Sequence, residues 1–147
     1  LHRRCGRVYV AAAIPAAICA LIIGAATPPF GPFLAVSNVF LATLWLWFTI
    51  NGYRAIRQRR FEEHRRNMVL SATLALSIIT NRIWTPPILF LALHPLQHRI
   101  FDGNPEHYLW FVAGLGAWLG WTIPLASTDR WIRNSSRQPS ARRTDAR

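Results

Sequence analysis

The chain alternates between long uncharged stretches and short arginine-rich ones. No charged residue occurs over residues 8–53, and two more uncharged stretches cover residues 67–81 and 108–128. Helices on the surface of a water-soluble domain need a polar face, which stretches of this kind do not supply. About 20 apolar residues at 1.5 Å rise match the roughly 30 Å hydrocarbon core of a bilayer. The pattern therefore predicts a polytopic membrane protein.

Proline and glycine divide the apolar stretches into separate helices. The uncharged run over residues 8–53 would be roughly 70 Å long as one helix, over twice the membrane thickness, and "TPPFGP" interrupts it. We expect an all-α integral membrane bundle of four transmembrane helices, in a domain over residues 1–133. The predicted spans cover residues 8–26, 33–53, 67–84 and 108–127. The apolar stretch from Ile88 is too short to cross, so it is predicted as a short interfacial segment, and residues 134–147 as a disordered basic tail.

The distribution of arginine predicts the orientation. All 17 basic residues are arginines, and the net charge is +11. A nucleic-acid partner is not expected, because the arginines flank apolar spans instead of lining a soluble face. With four spans, all of them except Arg82 and Arg99 lie on one side of the membrane. The positive-inside rule makes that side cytoplasmic, so both termini are predicted to face the cytoplasm and the anionic lipid headgroups there.

Small residues predict where the helices pack. The first span carries them every four positions, at Ala12, Ala16, Ala20 and Gly24. The fourth span contains a G-x-x-x-G at Gly116 and Gly120. Small residues at this spacing let membrane helices approach closely. Packing within the chain and a homo-oligomer seam both remain open.

Polar side chains also form a stripe on the third span, at Thr73, Ser77 and Thr80 or Asn81. Interhelical hydrogen bonds explain such a stripe, and a path for a small solute is the alternative. Arg82 lies at the outer end of this span. We expect its guanidinium to extend to the headgroups, with a buried ion pair as the alternative.

Histidines are the candidate ligands for a metal or a haem. His2 and His64 lie on the predicted inner side, and the remaining ones, His94, His98 and His107, on the outer side. Membrane b-type cytochromes hold haem b between helices with paired histidines. Imidazoles that bond headgroups or loop carbonyls explain the same positions. A zinc site is not expected, because Pro95 separates His94 from His98 and a third ligand is missing.

Three segments in order resemble a known family. They are "HRRCGRVYV", "HRRNMVLSATLALSIITNRIW" and "WLGWTIPLASTDRWIR". They are similar to the bacterial membrane family called domain of unknown function 2306 (DUF2306). Its H-R-x-x-G-R-x-Y motif matches His2, Arg3, Gly6, Arg7 and Tyr9. Its H-R-x-x-M and R-[LI]-W motifs match His64, Arg65, Met68, Arg82, Ile83 and Trp84.

The resemblance implies a multi-pass protein of the bacterial plasma membrane and brings no established activity. Family members usually carry a further helical segment before the first motif, so we expect a truncated N-terminus. They also usually carry an arginine after the methionine, where Val69 and Leu70 stand here. No G-x-S-x-G, P-loop or H-E-x-x-H motif occurs. We therefore expect a non-enzymatic, structural or accessory membrane protein, with a b-type haem electron carrier using His2 and His64, or a small-solute transporter, as the alternatives.

Overall fold

Four helices make up the computed structural model, which describes residues 2–26, 31–87 and 105–137. They are α1 (His2–Ala26), α2 (Gly31–Arg57), α3 (Phe61–Pro87) and α4 (Pro105–Arg137). Strands are absent from these described ranges. The all-α prediction is confirmed, and each predicted span lies inside one helix. The predicted interfacial segment, with His94 and His98, lies outside the described residues.

Three of the helices are long and apolar enough to cross a membrane: Arg4–Ala26, Gly31–Arg57 and Glu106–Ser135. The exception among the described helices is α3, although its 27 residues would extend about 40 Å. Its hydropathy is lower because charged residues begin it and hydroxyl side chains recur along it. Two of these hydroxyl residues, Ser71 and Ser77, are buried and so face protein instead of lipid.

Helix α3 packs between two other helices of the bundle. It packs along α2 on one side and along α4 on the other, while α2 also packs against α1 and α4. A hydrogen bond between Tyr9 and Ser71 joins α3 to α1 as well. The helix with the most polar sequence thus has protein along more than one of its sides, which is where hydroxyl groups find partners in a membrane.

The packed face of α1 differs from the predicted one. Ala13 and Ala17 are buried, whereas Ala12 and Ala16 are exposed; Gly24 is buried as predicted. The prediction failed because a strict four-residue repeat turns by about 40° at each step in a helix of 3.6 residues per turn. Residues 13, 17, 20 and 24 follow the helical period more closely, and they form the seam that packs against α2.

A tight turn joins α2 to α3. The amide of Arg60 donates to the carbonyl of Ala55, and the amide of Arg59 donates to that of Ile56. Arg59 adopts a left-handed conformation with φ 60°. This pattern is a Schellman motif, in which glycine is the usual residue at the left-handed position. Helix α4 also ends later than expected, because it continues through Arg137 into the predicted tail.

The α2–α3 turn, the start of α1 and the end of α4 lie at the same end of the bundle. Contacts between Tyr9 and Ser71 and between Arg66 and Asp129 bring these segments together. We call this the arginine-rich end. Helices α1 and α3 therefore run parallel, and both lead away from it.

Candidate functional site

A ring of hydrogen bonds joins α1, α2 and α3 inside the bundle. Thr49 donates its hydroxyl to the carbonyl of Trp45 at 2.8 Å and shares a 2.7 Å bond with Ser71. Ser71 shares a 2.8 Å bond with Tyr9, whose oxygen accepts a longer 3.4 Å bond from the Trp45 indole. We call these four residues the hydroxyl circuit. Ser71 and Thr49 are fully buried.

Each bond of the hydroxyl circuit has a definite direction, because a hydroxyl carries one proton. Thr49 donates its hydroxyl proton to the carbonyl of Trp45, so Ser71 must donate to Thr49. Tyr9 must then donate to Ser71 and accept from Trp45. The circuit starts at the indole N–H of Trp45 and ends at the carbonyl of the same residue. Every member is satisfied, as a polar group inside a membrane requires.

The second family motif lies one to two turns from the circuit and packs onto one glycine of α2. The Nδ1 atom of His64 lies 2.8 Å from the carbonyl oxygen of Gly52. A Cβ atom at Gly52 would approach the Sδ atom of Met68 to 2.8 Å, so the glycine lets α3 come close. His64 and Met68 are four residues apart on one face of α3. The H-R-x-x-M spacing thus positions α3 on α2.

The sequence His-Arg-Arg occurs twice, at residues 2–4 and 64–66. The two histidine positions lie at about the same height along the axis of the bundle. His2 precedes Tyr9 by the same number of residues as His64 precedes Ser71, nearly two turns in each case. Because Tyr9 and Ser71 touch and the helices are parallel, positions 2 and 64 both lie towards the arginine-rich end. The side chain of His2 lies outside the described residues.

The other motif residues contribute differently. A Cβ atom at Gly6 would meet no neighbouring atom, so nothing in the structure explains a glycine there. Arg7 and Arg65 are exposed. Arg3, Arg82 and Trp84 lie in helices, but their side chains are outside the described residues.

The polar stripe on α3 mostly bonds its own helix. Ser77 and Thr80 donate to the carbonyls of Leu74 and Leu76. Thr73 donates to the carbonyl of Val69 in its own helix, and its hydroxyl oxygen also lies 3.3 Å from that of Thr128 in α4. Interhelical bonding was predicted for the whole stripe; among its described side chains it is found only for Thr73, because a hydroxyl in a helix reaches the carbonyl of the preceding turn. Ser71, outside the predicted stripe, makes the interhelical bonds instead.

A small ionic cluster joins α3 to α4 at the arginine-rich end. Nη2 of Arg66 donates to Oδ1 of Asp129 at 3.0 Å, and Arg133 pairs with the other oxygen. Our sequence reasoning gave Asp129 no role. The pair of Asp129 with Arg133 could have been predicted from the sequence, because an acidic residue four positions before an arginine pairs with it along a helix. The other partner of Asp129, Arg66 of α3, could be identified only from the tertiary structure.

An open groove leads from this cluster along the contact of α2, α3 and α4. Its volume is about 320 Å³. Its lining comprises Phe48, Arg66, Leu70, Trp121, Thr122, Leu125, Ala126 and Asp129. Thr122 donates its hydroxyl to the carbonyl of Trp118, so it presents no free donor to the groove. The groove is apolar along its length and charged at one end.

Aromatic rings fill the contact between α2 and α4. Trp118 packs against Phe33, Phe40 and Trp121, with ring centroids 6.3, 5.9 and 5.5 Å away. We call these four residues the aromatic cluster. The indole of Trp121 donates to Ser37 at 3.0 Å. The buried Nε1 of Trp118 has no hydrogen-bond partner.

The described residues contain no group of three metal-ligating side chains close enough to hold an ion. His107 makes an edge-on contact with the ring of Trp110 at the opposite end of the bundle. The site residues predicted from the sequence thus lie in different places: Tyr9 in the hydroxyl circuit, His64 at the arginine-rich end, and His107 at the opposite end of the bundle.

Comparison with known protein families identifies a relationship. The sequence model of the family described as "Predicted membrane protein (DUF2306)" matches residues 1–102. This range contains α1, α2 and α3 and ends before α4 begins. No curated protein and no solved structure matches the chain significantly.

Proposed function

We propose that this chain, which belongs to the DUF2306 family of predicted membrane proteins, is a non-catalytic structural or accessory component of the bacterial plasma membrane. Its membrane character rests on the family and on three apolar helices of spanning length. The proposal concerns what the bundle does there and which way it faces.

The hydroxyl circuit is the observation that carries the proposal. A catalytic or transport site presents polar groups to a substrate, yet the buried hydroxyls of Tyr9, Ser71 and Thr49 are all engaged with one another and with Trp45. Trp121 likewise donates its indole N–H to Ser37 across α2 and α4. Polar groups used in this way fix how helices pack, because an unpaired donor in the membrane is costly.

Sidedness is the second part of the proposal. The arginine-rich end would face the cytoplasm, with both termini, because cationic residues are retained on that side. A variant with both cysteines, Cys5 and Cys19, replaced by serine allows single cysteines to be placed at exposed positions. Cysteines at Gln58 and Ser135 should react with a membrane-impermeant maleimide only after the cells are lysed. A cysteine at Glu106 should react in intact cells, and the reverse result would overturn the orientation.

A b-type haem carrier with His2 and His64 as ligands is the second candidate, and the surroundings of His64 favour it. The Nδ1 atom of His64 bonds the carbonyl of Gly52. A backbone carbonyl on one ring nitrogen is the usual arrangement for a histidine whose other nitrogen binds a metal. The described part of the site is therefore compatible with haem ligation. A haem held there would supply one-electron chemistry.

An absorption spectrum separates the two candidates. The full chain, purified in detergent from haem-replete cells, should show no Soret band if it is a structural component. A Soret band that His64→Ala abolishes and His107→Ala leaves intact would replace the proposal with the haem carrier. His107 is the matched control because it lies at the opposite end of the bundle.

A further inference from the structure

The groove between α2, α3 and α4 has the form of a binding site for one lipid molecule. One wall is Phe48 of α2, another is Leu70 of α3, and the third is formed by Trp121 and Leu125 of α4. From Asp129 to Trp121 the groove extends about 12 Å along α4. This length holds part of an acyl chain, and the groove is open at the surface of the bundle.

The charge at the end of the groove is complementary to a phosphate. Arg66 and Arg133 share the single carboxylate of Asp129, so the cluster carries a net positive charge. The side chain of Arg66 is 52% exposed, and its recorded bond to Asp129 uses one of its nitrogens. An arginine guanidinium has five donors and binds phosphate oxygens through pairs of them. The remaining face of Arg66 is thus placed where a headgroup would reach it.

We propose that this groove binds one anionic glycerophospholipid, with an acyl chain between Phe48, Leu70 and Leu125 and the phosphate on Arg66. A soluble phosphate would use only the charged end and would leave the apolar walls uncovered. A neutral lipid would use only the walls. The juxtaposition of both features within one groove selects a lipid with an anionic headgroup.

The ionic cluster explains why the site is selective and not merely basic. Asp129 partly neutralises Arg66 and Arg133, so a zwitterionic headgroup gains little there, whereas an anionic one gains a full charge interaction. Basic pockets between transmembrane helices bind anionic headgroups in this way. The proposal depends on the orientation proposed above only for assigning the lipid to the cytoplasmic leaflet.

Native mass spectrometry of the full chain tests the proposal. The detergent-solubilised protein is titrated with phosphatidylglycerol, with phosphatidylcholine of the same acyl chains, and with soluble glycerol phosphate. One phosphatidylglycerol per chain should bind in preference to phosphatidylcholine, and glycerol phosphate should not compete. Arg66→Gln should weaken phosphatidylglycerol binding about tenfold through loss of a charge-assisted contact. Leu125→Trp, which fills the groove, should weaken binding of both lipids.

Two controls separate the site from general basicity and from misfolding. Arg130→Gln removes an exposed arginine that does not line the groove, and it should bind phosphatidylglycerol like the wild type. Asp129→Asn breaks the same interhelical ion pair as Arg66→Gln but keeps the guanidinium, so it should retain binding. Equal losses in Arg66→Gln and Arg130→Gln, or an equal loss in Asp129→Asn, would overturn the proposal. So would equal binding of the two lipids. None of these results depends on sidedness or on haem content.

Discussion

The α1/α2/α3 junction and the α2/α4 contact join helices by different means. The junction uses small residues and the hydroxyl circuit, with Ala17, Ser71 and Thr49 fully buried. The α2/α4 contact uses the aromatic cluster and leaves one indole N–H without a partner. In lipid there is no hydrophobic driving force between helices, so association depends on close packing and hydrogen bonds. The junction exploits both, and the aromatic contact relies mainly on packing.

A glycine permits close approach in each region, but the neighbour it admits differs. At Gly52 the neighbour is Met68, whose flexible thioether can move. At Gly114 the neighbour is the ring of Phe33, which occupies the space that a Cβ atom would need. The comparison predicts that the aromatic contact tolerates added volume less well than the junction does.

The largest effect is expected at Gly114. Gly114→Val should lower the free energy of unfolding by roughly 3 kcal/mol relative to Gly6→Val, because the added side chain overlaps Phe33. Gly6 is the matched control, since no atom lies within 4 Å of a Cβ atom there. Unfolding in mixed detergent micelles, followed by circular dichroism, measures both variants.

Removing the obstructing ring supplies the check on this reason. Phe33→Ala combined with Gly114→Val should recover most of the lost stability. If the double variant is as unstable as the two single losses together, Phe33 is not what limits volume at Gly114.

The next largest effect concerns the packed face of α1. Ala17→Leu should cost about 2 kcal/mol by overpacking the seam with α2, while Ala16→Leu should cost little because that side chain is exposed to lipid. The same micelle assay compares them. Equal losses would mean that the seam is wider than the structure shows, and a larger loss at Ala16 would restore the face predicted from the sequence.

A smaller effect is expected where the neighbour is flexible. Gly52→Ala should lower the free energy of unfolding by about 1 kcal/mol, because Met68 shifts its Sδ atom and not a rigid ring. Gly6→Ala is again the control for the change in helix propensity. A loss as large as that of Gly114→Val would remove the distinction between the two contacts.

The smallest effect should come from a single link of the hydroxyl circuit. A double-mutant cycle of Tyr9→Phe and Ser71→Ala should give a coupling of about 0.6 kcal/mol, the average for interhelical hydrogen bonds in membrane proteins. Ser135→Ala, whose hydroxyl bonds the exposed end of its own helix, should not couple to Tyr9. A coupling of zero would show that the circuit fills space without stabilising the junction.

The sequence by itself determined the helices and their membrane environment. Uncharged stretches of spanning length, divided by prolines, favour membrane-spanning helices, and the resemblance to the DUF2306 family is confirmed by the match over residues 1–102. The histidine pair at positions 2 and 64 was also visible in the sequence, as a repeated His-Arg-Arg. These features follow from local pattern and hydrophobicity, which act along one helix at a time.

Only the tertiary structure decided which faces meet. A strict count of four residues misplaced the seam at Ala12 and Ala16, because small deviations from the helical period accumulate over several turns. The partnership of Tyr9 with Ser71 and of Arg66 with Asp129 depends on the relative depth and rotation of different helices. Close packing sets those quantities, and close packing depends on many side chains at once. The groove and the hydroxyl circuit therefore became apparent only when the four helices were together.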